Sequence, residues 1–231
     1  MAAGDACRLM SLNLYSYVDN PFTSKASFNF EKFINHSKLS IKLMDNMIDL
    51  ENEKIDRILN KIDNDPEDTD TKAVEKKLWE RVKYMNNFGR RSGIGFTALG
   101  DMLAALGYKY GTPTATKFVE FVQKVMATSV YIGSCDLVQV DGRDAFGCFN
   151  YELEKSNPFL NRLTTTIING STHSSLDNLV EEFKSKWSGG RRNIALLTCA
   201  PAGSLSTQSQ TTSGLEPVFM ISYRRRRKID K

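Results

Sequence analysis

Residues Arg191 to Pro217 read RRNIALLTCAPAGSLSTQSQTTSGLEP. The run Asn193 to Thr198 is apolar and flanked by arginines, which predicts a strand buried on both faces. The chain then breaks into Ala200-Pro201-Ala202-Gly203-Ser204-Leu205-Ser206, a loop of small residues. Small side chains and a glycine let backbone N–H groups approach a ligand closely, and a helix starting there adds its N-terminal dipole. The physical expectation is an anion site, with phosphate as the natural anion. A strand-to-loop turn with a serine N-cap and no ligand accounts for the same composition, and such turns are the commoner outcome.

Strands and helices alternate on either side of this stretch. Leu12 and Leu14 alternate with Ser11 and Asn13 in a strand that Cys7 opens. A cap at Ser27 or Asn29 starts a long helix over about 31–62, with Phe33, Ile41, Met44, Ile48 and Ile55 at helical spacing. Its length predicts a bend or break. An acidic turn from Asp63 to Asp68, read as a solvated connection, leads to a second helix over about 72–86. A glycine-punctuated strand over 89–100 runs into a helix at 101–106, and Thr112-Pro113-Thr114 starts another that reaches about Cys135, with Met126 in the core. After an irregular stretch comes a helix over 176–187, ended by Gly189-Gly190, and residues 216–223 supply the last strand. The pattern predicts one α/β domain over residues 1–231, with a mainly parallel sheet of four or five strands, too few for a closed eight-stranded barrel.

Composition narrows the function classes. The 231 residues are 41% apolar, enough for a sizeable core, and no apolar run reaches the roughly 18–20 residues of a membrane span. MAAGDACRLM lacks the apolar core of a signal peptide, so a cytoplasmic location without membrane contact is the default expectation. The net charge is +4, much of it in the basic run Arg224 to Lys228. No interleaved aromatic and basic pattern accompanies that run, so nucleic acid is not an expected partner. Cys7, Cys135, Cys148 and Cys199 stand far apart, and His36 and His173 have no ligand-like neighbours, so no metal site is expected. Residues alone stop at an α/β domain with a phosphate loop and no identifiable acid, triad or metal cluster.

Three segments together resemble one family: Arg90-Arg91-Ser92-Gly93-Ile94-Gly95-Phe96-Thr97-Ala98-Leu99-Gly100-Asp101-Met102-Leu103, then Arg191 through Ser204, then Gln210-Thr211-Thr212-Ser213-Gly214-Leu215-Glu216-Pro217-Val218-Phe219. They resemble the catalytic subunit of ribonucleotide reductase, most closely its adenosylcobalamin-dependent class, which has a comparable C-terminal Arg-Arg-Arg-Lys stretch. The resemblance runs over nearly the whole chain in the same order and is weakest from about Leu137 to Ser188.

The resemblance implies a ten-stranded α/β barrel made of two five-stranded halves, with a central finger loop whose cysteine becomes a thiyl radical. That radical removes the substrate's 3′ hydrogen, and two further cysteines reduce the ribose, becoming a disulfide as the 2′ hydroxyl leaves as water. Cys7, in Ala6-Cys7-Arg8-Leu9, matches one of those two reducing cysteines, and Ala200 to Ser206 match the substrate phosphate loop. None of the four cysteines stands in the finger-loop motif Asn-x-Cys-x-Glu. The expectation is therefore the second half-barrel, a five-stranded half with flanking helices, supplied by a split gene since the chain opens with Met1, rather than a pseudogene product or a laboratory truncation. Its implied partners are an N-terminal fragment of the same reductase, a ribonucleotide substrate and a thioredoxin-like or glutaredoxin-like reductant. Adenosylcobalamin is the implied cofactor, and activity is not expected of the chain alone.

Two positions depart from the family pattern. Ala202 replaces a threonine in the phosphate loop, which keeps backbone donors but loses a hydroxyl that Ser204 and Ser206 are expected to supply instead. Cys199 replaces an aliphatic residue and is expected to be a small core residue, while Cys135 and Cys148 have no counterpart. A nucleotide-binding or regulatory module that keeps the loop without turnover is the alternative, followed by a scaffold or nucleic-acid protein using Arg224 to Lys228.

Overall fold

The computed structural model describes residues 3–218 together with 220, 222, 224 and 226. Two strands, β1 (Arg8–Asn13) and β4 (Ser92–Thr97), pair in parallel with Arg8 opposite Ser92 and Asn13 opposite Thr97. Between them in the chain come two antiparallel two-residue strands, β2 (Val18–Asp19) and β3 (Ser27–Phe28), and then α1 (Phe30–Asn64) and α2 (Thr69–Gly89). The first strand is shorter than its sequence pattern predicts, because a 3-10 turn takes over at Leu14–Tyr17, nucleated by the Asn13 side chain accepting from the Tyr15 N–H.

Asn29 caps α1, its side chain accepting from the Lys32 N–H at 3.0 Å, and the helix runs 35 residues without interruption. The expected break is absent because α1 is supported along its length. Phe33, Ile41, Met44 and Ile48 are buried in the first half, and Ile55 and Ile62 in the second, where α2 returns antiparallel. Asp68, the end of the acidic turn, proves to be the N-cap of α2, accepting from the N–H groups of Asp70 and Thr71.

After β4 the chain forms α3 (Leu99–Ala105) and α4 (Pro113–Gln139), the latter started by Thr112 as cap with Pro113 in the first turn. Met126, Val130 and Ile132 on α4 are fully buried beside α1. Two short helices, α5 (Tyr151–Lys155) and α6 (Pro158–Leu163), a small ribbon of β5 (Ile167–Ile168) and β6 (Ser171–Thr172), and α7 (Asp177–Trp187) follow, before α8 (Gly203–Ser209). The segment expected to be loose through Ser175 is therefore structured. Among the described residues no helix is long and apolar enough to cross a membrane.

The run Asn193 to Thr198 does not form the regular strand that its composition predicts. It lies parallel to β4 and is tied to it by Ser92 N–H to Ala195 O, Ile94 N–H to Leu196 O and Thr198 N–H to Ile94 O at 2.7–3.1 Å, but only Ile94 and Leu197 form a ladder bridge. The central strand thus carries two parallel neighbours, one regular and one irregular. Its glycines permit this: a Cβ on Gly93 would meet Thr198 and Leu9 side-chain carbons at 2.7–2.9 Å, and one on Gly95 would stand 2.3 Å from the Thr198 carbonyl oxygen. The described residues form no closed sheet, and a mainly parallel sheet of four or five strands is replaced by this three-line arrangement with two antiparallel ribbons. Glu216 to Val218 are not in a strand, so the expected last strand does not start there; Phe219, Ile221 and Tyr223 lie outside the described residues, as do Arg225, Arg227 and Lys228 of the basic run.

Candidate functional site

The C-terminal end of β4 is where the motif-bearing segments meet. Ala98 adopts a left-handed conformation, φ 63°, and its N–H donates to the Thr212 carbonyl at 3.0 Å. The Thr97 hydroxyl donates to the same oxygen at 2.9 Å. Asp101, in the first turn of α3, accepts from the Thr212 N–H at 2.6 Å and from its hydroxyl at 2.8 Å, and the Tyr110 hydroxyl donates to Leu215 O at 2.6 Å. These bonds lay residues 211–216 across the end of the sheet. A pocket of about 170 Å³, roughly five to six water volumes, remains between Cys199, Ala200, Pro201 and Ala202 on one side and Ser213 to Glu216 on the other, with Phe96 between them.

The phosphate-loop candidates divide by exposure. Ala202 and Ser206 are buried, Ala200 is half-buried, and Pro201, Gly203, Ser204 and Leu205 are exposed. The N-cap of α8 is Ala202 and not a serine, so no side chain caps the first turn. The consequence is chemical: the first-turn N–H groups that a threonine hydroxyl would satisfy have no side-chain acceptor. The Ser206 hydroxyl donates to the Gly203 carbonyl at 2.9 Å, as the Thr207 hydroxyl also does, which engages its proton within the helix. Only Ser204 keeps an exposed hydroxyl with no such bond.

Cys7 is half-buried and directly precedes β1. By strand alternation it shares a face with Leu9, Ser11 and Asn13, and with Gly93, Gly95 and Thr97 of β4, whereas Met10 and Leu12 on the other face pack into the helical core. Leu9 is 57% exposed, so the Cys7 face is the open one. Two ion pairs hold this entry: Arg91 Nε to Asp5 Oδ2 at 2.7 Å, and Arg8 to Glu51, with Arg8 Nη2 also donating to Asn86 Oδ1 at 2.5 Å.

The structure does not bring Cys7 and the loop together. Cys7 stands one residue before the Arg8–Ser92 pair and Cys199 two after the Leu197–Ile94 bridge, which separates them by five residue levels, about 17 Å along the strands. That is far beyond the roughly 4.4–6.8 Å between Cα atoms that a disulfide spans. All four cysteines are free thiols. Cys199 is exposed and borders the loop pocket, which corrects its assignment to the core: it lies past the last ladder contact, where the run leaves the sheet. Cys135 is the buried one, and desolvation pushes its thiol up to about 12, leaving it inert at neutral pH. No cluster of three or more histidine, cysteine or acidic residues suited to a metal occurs among the described residues.

The ribonucleotide reductase, barrel domain, family matches residues 2–231. The chain belongs to that family. Two relatives from strains of Mycobacterium tuberculosis, both named vitamin B12-dependent ribonucleoside-diphosphate reductase, are 25% identical to it over 136 residues. The match covers 59% of this chain and 15% of each relative's length.

In this reductase barrel domain the arginines of two of the motifs form a buried hub that sequence reasoning did not find. Arg90 is 1% exposed; its Nε donates to Asp45 Oδ1 at 2.6 Å and its Nη2 to Asp49 Oδ1 at 2.7 Å. Arg143 and Arg192 reach the second Asp45 oxygen at 2.6 and 3.3 Å, and Asn193 Nδ2 donates to Asp45 Oδ1 and to the Arg90 carbonyl, both at 3.0 Å. Burial pushes the Asp45 carboxyl up, but the guanidinium groups outweigh it and hold the group below its ordinary range. Arg191 forms a bidentate pair with Glu154 at 3.0 Å and lies over the rings of Phe146 and Tyr131. The paired arginines of the reductase motifs thus anchor the sheet to α1 and α5. The available signal was the doubling of arginine immediately before two apolar strand-like runs.

Proposed function

We propose that this chain is part of a ribonucleotide reductase catalytic subunit, forming the second five-stranded half of a ten-stranded α/β barrel. The observation that carries the reading is the convergence of all three motif segments on one pocket at the end of β4, with the first-turn N–H groups of α8 uncapped beside it. Ala200 to Ser206 bind the phosphate end of a ribonucleotide through backbone N–H groups, with Ser204 as the remaining free hydroxyl. A diphosphate substrate agrees with the names of the relatives.

Cys7 acts as one of two thiols that give up their hydrogens and form a disulfide as the ribose 2′ hydroxyl leaves as water. Its position on the open face supports this role, since that face is free to receive a second thiol and the finger loop from an N-terminal fragment of the same reductase. A thioredoxin-like or glutaredoxin-like protein returns the disulfide to thiols.

Adenosylcobalamin, when bound, supplies the initiating radical. Among the described residues, the two cavities that touch the motif segments, about 170 and 640 Å³, are too small to seat a corrinoid, so the cofactor reading rests on the relatives' names and no step is derived through it.

Co-expression with a polypeptide carrying Asn-x-Cys-x-Glu tests the proposal. The expected result is a stable complex that reduces a ribonucleoside diphosphate in the presence of adenosylcobalamin; failure to form a complex would sink it. Binding of nucleotide by the chain alone, indifferent to Cys7→Ser, would favour a nucleotide-binding module without turnover.

A further inference from the structure

A second cavity, about 640 Å³, opens between α4, α6 and β5, and it borders the loop pocket at Phe96, Cys199 and Leu215. Phe96 belongs to the helix-facing side of β4, with Ser92 and Ile94, so this cavity lies behind the sheet from Cys7. Its volume falls within the range of small-molecule sites, and its walls are chiefly apolar, with Leu99, Val119, Phe159 and Ile168 among them.

Three charged groups give the cavity its chemistry. Lys124 and Arg162 line it together, and among the described residues neither has a carboxylate at ion-pair distance. The Lys124 ammonium donates to the Arg162 backbone carbonyl, while the Arg162 guanidinium lies over the Phe159 ring at 5.6 Å. Burial and the neighbouring Arg162 charge lower the Lys124 pKa to about 8, the state of a cation lacking a counterion. Glu120 is the one acidic residue in the lining, and its carboxylate accepts from Asn169. The formal charge of the lining is therefore +1. Gln123 also lines the cavity, but its Oε1 is buried away from the open space and has no donor.

We infer that this cavity is a binding site for a small, singly charged apolar acid. The apolar body fills the space between α4 and α6, and the anionic group lies between Lys124 and Arg162. Glu120 disfavours polyanions such as nucleoside triphosphates, which separates this site from the phosphate loop. The inference does not depend on the chain's catalytic role.

The dye 8-anilinonaphthalene-1-sulfonate has these features: one negative charge and an aromatic body. Fluorescence titration of the full chain, freshly fractionated by size, is expected to saturate at one equivalent. Lys124→Gln combined with Arg162→Gln should weaken binding at least tenfold. N-phenyl-1-naphthylamine, the neutral analogue, should bind both proteins equally and more weakly than the sulfonate binds wild type. Thr116→Trp, at an exposed position lining the cavity, should block the dye while leaving the far-UV circular dichroism unchanged, which guards against loss through misfolding. Non-saturable binding, or equal sulfonate affinity in wild type and the double variant, would overturn the inference.

Discussion

Asp45 carries its charge in the interior because three guanidinium groups face it, and its removal would leave the buried Arg90 with Asp49 as its one remaining carboxylate partner. Breaking a buried pair from one side costs about 3–5 kcal/mol, so Asp45→Ala should lower unfolding free energy in urea by that amount. A loss below about 1 kcal/mol would mean that the hub is solvated in solution. The acid dependence has a definite sign. A carboxylate whose folded pKa lies below its ordinary value of 3.8 contributes stability that is fully present above that value and disappears as pH falls through the folded one. The gap between wild type and Asp45→Asn should therefore narrow as pH falls below 3.8 and go on closing with further acidification, measured by denaturation across pH. In the sequence, Asp45 is one polar residue among many between the apolar positions of a helix, and nothing local distinguishes it. Arg90 and Arg192 stand in family motifs, but their partners lie 45 and 147 residues away in the chain. Ala202 is the opposite case, since the amino-acid sequence by itself shows the missing hydroxyl. Ala202→Thr should restore a cap worth about 0.5–2 kcal/mol and tighten binding of inorganic pyrophosphate, both readable as thermal shifts. An unchanged shift with pyrophosphate would place the anion elsewhere.

The long helices were legible because their signals are local: the 3.6-residue period of α1, the Asn29 and Thr112 caps and the proline opening α4 all act within a turn or two, whereas the short α5 and α6 fell in a stretch read as irregular. The sheet was less so. An apolar run from Asn193 to Thr198 reports burial, but a regular ladder depends on what the neighbouring strand allows, and here β4 offers glycines and a single bridge. Cys199 was misplaced for the same reason, since it follows an apolar run yet lies beyond the point where that run leaves the sheet. The close approach at Gly95 gives a test. Gly95→Ala sets a methyl 2.3 Å from a carbonyl oxygen and should cost about 1–3 kcal/mol in urea unfolding, from the overpacking it forces. Gly203→Ala meets no atom within 4 Å and should change stability little. Equal effects would show that the 193–198 segment does not lie against β4 as described.

The sheet's Cys7 face is open, with Leu9 half exposed and β1 paired on one side only among the described residues. Unpaired strand edges beside an apolar face favour association, so the isolated chain should self-associate, and light scattering should reveal species larger than 26.0 kDa. A monodisperse monomer would contradict this. The family was readable in three motifs scattered along the chain; that they meet at one pocket, while Cys7 stands five residue levels, about 17 Å along the strands, from Cys199, required the fold. The most direct test is single-turnover reduction of a ribonucleoside diphosphate by the chain complexed with a polypeptide bearing Asn-x-Cys-x-Glu, with adenosylcobalamin and no external thiol, comparing wild type with Cys7→Ser. The account predicts one deoxyribonucleotide per wild-type complex, with loss of the free Cys7 thiol, and none from Cys7→Ser. Equal product from both proteins would contradict it.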